Sequence, residues 1–225
     1  PRHHPMKIHL QDTDGTLHEY AVPTIDEVSV GQWMAAEALP KMEGTIAEQY
    51  RYLYDLVEVF MGIPHERCRQ IAWQDITTIT NAIEQVTTQA KLEREEGAFI
   101  PDTVEFQGVT YNVPKDFGQG LTVGQIVDIL SRLETLETAD AGIAVILAVM
   151  LTEQGKGYTS GNLEQRIEAF KAFPCRMGIR LAAFFFVGSE PLSQGWDQFM
   201  QRILRSKLRL TEGAIDSLRS VGAGT

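Results

Sequence analysis

Cysteine, basic charge and long apolar runs are all scarce in this chain, and each shortage closes off a class of protein. Cys68 and Cys175 are the only thiols among 225 residues. They are too few and too far apart for a disulfide framework or a zinc site, so a reducing compartment is expected. Twenty Lys and Arg against thirty Asp and Glu leave a formal charge of −10, the wrong sign for a surface that neutralises phosphates, so no nucleic-acid partner is expected. Arg202, Arg205, Lys207 and Arg209 do cluster, and they read as a solvated helical face or a seat for an acidic protein. The apolar stretches 142–151 and 179–187 span ten and nine residues, and Arg180 interrupts the second. A spanning helix needs about 20 apolar residues, so both stretches read as buried core helices and no membrane partner is expected. The glycines of 155–161 follow a helical pattern rather than a strand, so they do not form a phosphate loop. Neither a cofactor nor a metal is expected.

The chain does contain the same phrase twice. His18-Glu19-Tyr20-Ala21-Val22-Pro23 followed by Ser29-Val30-Gly31-Gln32 is echoed by Val109-Thr110-Tyr111-Asn112-Val113-Pro114 followed by Thr122-Val123-Gly124-Gln125. Gly62 and Gly155 each lie thirty residues past the Gln of their copy. Duplication on this scale points to scaffold rather than to a single-copy catalytic centre. The Ser/Thr-x-x-Gln spacing is that of a capping box: Ser29 or Thr122 accepts from the backbone three residues on, and Gln32 or Gln125 reaches back to the cap's own N–H. Val28 with Trp33, and Leu121 with Ile126, have the spacing of a hydrophobic staple.

Apolar content of 44% and charged content of 22% are those of a globular protein. The repeat favours two units of roughly a hundred residues each. We divide the chain into a first copy at 6–97, a linker at 98–102, a second copy at 103–219 and a tail at 220–225. Pro1–Pro5 reads as an appended, non-native remnant before a native start at Met6, which discounts His3 and His4 as metal ligands. In the first copy, Lys7–Gln11 and Thr16–Val22 alternate around Asp12-Thr13-Asp14-Gly15, predicting a hairpin. Helices follow at Val30–Leu39, Ile46–Met61, Pro64 to Ala72 and from Asp75 to the stop at Gly97. The second copy opens with a tighter hairpin, Val104–Phe106 and Thr110–Val113 around Gln107-Gly108. Its helices are expected at Val123–Leu136, Asp140–Glu153, Leu163–Phe173 and Arg176–Val187. Ser193–Leu208 and Glu212–Leu218 also read as helical, with 220–225 frayed. The fold class is therefore α+β, mainly helical, in two related halves that each carry a β-hairpin followed by several α-helices.

Two segments invite functional readings. Asp12-Thr13-Asp14-Gly15-Thr16-Leu17 resembles the nucleophile motif of haloacid-dehalogenase-type phosphatases, which implies Asp12 as covalent nucleophile, Asp14 as general acid/base and a magnesium ion between carboxylate and phosphate. That fold needs a continuously apolar parallel strand before the first Asp, whereas Lys7–Gln11 alternates, so a turn is the preferred reading and no catalytic residue is assigned. Phe184, Phe185 and Phe186 cover most of a helix's circumference, so at least one is expected to face something other than its own core. They are the candidate interface residues, and Trp33, Trp73 and Trp196 fall under the same reasoning.

The layout Val104-x-Phe106-x-Gly108-x-x-Tyr111-x-Val113-Pro114, then Leu121–Gln125 opening a helix, then Glu164–Phe173 and the apolar helix Gly178–Phe186, resembles a poorly characterised family encoded by tailed bacteriophages. Val28–Gln32 and Phe60-Met61-Gly62-Ile63-Pro64 extend the resemblance over most of residues 20–190. More loosely, the hairpin-then-helices plan is similar to tail assembly chaperones. These motifs are structural, so no catalytic residue comes with them. The resemblance implies a non-enzymatic virion component or assembly chaperone, working in the host cytoplasm during assembly or in the virion. Its implied partners are other phage structural or assembly proteins, with homo-oligomerisation as a further option.

Overall fold

Alternation in Lys7–Gln11 places Ile8 and Leu10 on one side of a strand, and both are buried. This strand, β1 (Lys7–Gln11), pairs antiparallel with β2 (Leu17–Ala21) in a two-stranded sheet, Ile8 opposite Tyr20. We obtained the fold as a computed structural model that describes residues 7–11, 15–40, 45–95, 100–115, 120–136, 138 and 140–186. Asp12 and Asp14, the helices expected at Ser193–Leu208 and Glu212–Leu218, Trp196, the basic cluster at 202–209 and the tail lie outside the described residues.

Four helices follow the first hairpin: α1 (Val30–Glu37), α2 (Ile46–Met61), α3 (His65–Cys68) and α4 (Trp73–Glu95). Gly62 ends α2 in the left-handed conformation, φ 67°, which a residue with a Cβ reaches only at a cost. Along α4, Ile76, Ile79, Ile83, Val86 and Ala90 form one buried stripe at helical spacing. The hydroxyls of Thr77, Thr78, Thr80 and Thr87 each donate to the carbonyl four residues back, at 2.8–3.1 Å. That keeps β-branched polar residues satisfied within a helix.

In the second copy, β3 (Thr103–Phe106) and β4 (Val109–Asn112) pair antiparallel around Gln107 and Gly108, whose φ values are 51° and 75°. Two successive positive φ angles make the type I′ turn that matches strand twist. Then come α5 (Val123–Leu133), a 3₁₀ turn at Asp140–Gly142, α6 (Ile143–Met150), a short strand β5 (Thr152–Glu153) and α7 (Leu163–Phe170). A last helix, α8, covers 175–186. All eight residues of α6 are buried, which makes it the centre of the core.

The fold is thus α+β and mainly helical, with two related halves that each begin with a hairpin. Several expected helices end early: α3 stops at Cys68 rather than near Ala72, and α6 stops at Met150. Rather than continuing from Asp140 to Glu153, the chain turns extended at Leu151, and Thr152 and Glu153 pair with Asn112 and Tyr111. Gln154 N–H then donates to Thr110 O at 2.9 Å. The strand prevails because β4 has a free edge whose backbone groups need partners. Similarly, α7 stops at Phe170 rather than Phe173, because the residues after it serve as a seat for the first copy.

The described residues up to Phe185 belong to one compact unit. Inside it the copies interlock. Val30 N–H donates to Phe173 O at 2.8 Å, Gly31 N–H to Lys171 O at 2.7 Å, and Cys175 N–H to Val28 O at 2.8 Å. The amino end of α1 therefore abuts the carboxyl end of α7, so orphan donors meet orphan acceptors and the helix dipoles run head to tail. A Cβ on Gly178 would lie 2.5 Å from Val30 Cγ2, so only glycine permits this approach. Ion pairs also cross between copies: Arg94 with Asp140, and Arg180 and Arg176 with the largely buried Glu93.

Candidate functional site

The repeated Gln performs two tasks in each copy. Ser29 N–H donates to Gln32 Oε1 at 2.9 Å and Gln32 N–H to Ser29 Oγ at 3.2 Å. Thr122 N–H donates to Gln125 Oε1 at 3.0 Å and Gln125 N–H to Thr122 Oγ1 at 3.3 Å. Both capping boxes are present. The amide nitrogen of each Gln then reaches the carboxyl end of the helix that follows. Gln32 Nε2 donates to Val59 O and Phe60 O at 3.3 and 3.2 Å, and Gln125 Nε2 to Val149 O at 2.8 Å. One side chain thus satisfies donors at one helix start and acceptors at another helix end, and Gln is the residue that carries both an acceptor and a donor at that reach. Gln125 is 3% exposed. This clasp makes the repeated phrase a device of architecture.

The carbonyl of Leu151, the residue that caps α6, has its own partner. Arg166 donates to Leu151 O, and its guanidinium lies 5.9 Å from the ring centre of Tyr158, a cation–π distance. Tyr158 in turn donates its hydroxyl to Asp128 at 2.6 Å. Burial and then the Asp128 carboxylate push the phenol up to about 12, so it stays a donor and pins the loop between β5 and α7. A third capping box, Thr45 with Glu48, opens α2. The sequence reading did not single it out, although the Thr-x-x-Glu signature is there to be read.

The candidate interface residues separate. Phe185 is 1% exposed, while Phe184 and Phe186 are half-buried. Phe184 lines a recess of about 130 Å³ with Ile100, Pro101, Val113 and Pro114. Trp33 is buried, whereas Trp73 is 70% exposed. The Trp73 ring stands 6.3 Å from Tyr50, and Tyr50 stands 6.5 Å from Tyr54. Ile46, one turn before Tyr50, is 73% exposed. These residues form an apolar and aromatic surface at the start of α2 and α4. The signal for it was the i, i+4, i+8 spacing of Ile46, Tyr50 and Tyr54, but periodicity does not tell which stripe of a helix the core covers.

The strands on either side of the segment that resembles a phosphatase nucleophile, β1 and β2, pair antiparallel, while Asp12 and Asp14 themselves lie outside the described residues. No family model matches the chain, and no curated protein or solved structure matches it. Among the described residues, no helix is long and apolar enough to cross a membrane.

Proposed function

We propose that this protein is a non-enzymatic protein–protein interaction component of tailed-phage particle structure or assembly, acting either as a built-in part or as a transient chaperone. The observation that carries the reading is the exposed cluster of Ile46, Tyr50 and Trp73 on helices held in an interlocked scaffold. Aromatic side chains dominate the energetics of protein interfaces, and a Trp left 70% exposed forgoes most of the burial free energy it would gain from a partner. The two-stranded sheet adds a second surface, because β2 carries an edge that no described strand covers, and such edges accept added strands.

The test is mass spectrometry on a native lysate separated by sedimentation. Comigration at fixed stoichiometry with finished particles identifies a structural component, and presence only with head or tail precursors identifies a chaperone. Recovery as a lone species with no particle proteins overturns the reading. Magnesium-dependent phosphatase activity that Asp12→Asn abolishes would also overturn it, because a turn residue contributes nothing to turnover.

A further inference from the structure

We draw no further inference here: the strongest candidate, the exposed aromatic face of Ile46, Tyr50 and Trp73 at the start of α2 and α4, belongs to the surface already described, and nothing in the structure shows what covers it.

Discussion

Replacing Gln125 with Ala removes a side chain that serves three groups at once. The Thr122 amide loses its acceptor, the Thr122 hydroxyl loses a 3.1 Å contact, and Val149 O loses its 2.8 Å donor. Val149 is 0% exposed, so water cannot replace that donor without opening the core. An unsatisfied buried carbonyl costs about 1–3 kcal/mol, and loss of the capping interaction costs about 1 kcal/mol. We expect Gln125→Ala to destabilise by about 3 kcal/mol. Gln32 makes the same contacts but is half-buried, with longer bonds to Val59 and Phe60, so Gln32→Ala should cost about half as much. Urea unfolding followed by circular dichroism measures both, with an unchanged m-value confirming that stability alone has moved. Gln125→Glu adds a pH signature. Its carboxylate would face Val149 O, which burial and the carbonyl dipole both disfavour, so the folded-state pKa of the new side chain is raised. The variant's deficit relative to the parent should therefore be largest at neutral pH. It should shrink as pH falls and the neutral carboxyl becomes a donor. A Gln125→Ala cost below about 0.5 kcal/mol, within the range of an ordinary surface substitution, would refute the clasp.

Three further outcomes follow from the packing. Gly178→Ala should cost about 1–3 kcal/mol through overpacking, and adding Val30→Ala should give a double variant more stable than the sum of the two single losses predicts, as read by urea unfolding. Tyr158→Phe should cost about 1 kcal/mol and raise hydrogen exchange in residues 154–161 while leaving α6 protected. Burial, then the charge of Asp140, pushes the Cys175 thiol up to about 12, and burial, then Glu58 and Asp55, pushes Cys68 up to about 11. Both folded-state values lie above the ordinary thiol value of 9.0. The stability they contribute is therefore complete below about pH 9 and is lost as pH rises towards the folded values. Cys175→Ala should flatten that alkaline decline in a pH series of urea titrations, and neither native thiol should react with a disulfide reagent at pH 8 until the chain unfolds.

Much of the fold was legible because local signals and tertiary structure agree. The capping boxes at Ser29 and Thr122, the Gln107-Gly108 turn and the Ile46–Met61 helix are each specified within a few residues of sequence. The departures occur where a distant segment decides. Leu151–Glu153 reads as helix until the free edge of β4 claims it. The residues after Phe170 leave the helix because Val28–Gly31 needs acceptors there. The second role of Gln32 and Gln125 spans 24 to 28 residues, beyond the reach of a capping rule. For the site, three adjacent phenylalanines drew the eye, yet Phe185 belongs to the core, and of the two described tryptophans named with them Trp73 is exposed and Trp33 buried, a difference no local pattern marks. The contrast between buried Val30 and exposed Val123 was invisible, because identical neighbours give identical local predictions.

The central structural claim is that one module, built twice, closes on itself through the α1–α7 junction into a single core. Pulse-labelling hydrogen exchange across a urea series tests it most directly, by following α2 from the first copy and α6 from the second. The interlock predicts that both helices lose protection together, at one urea concentration. Loss of protection in one copy at markedly lower urea, with the other still folded, would contradict the account.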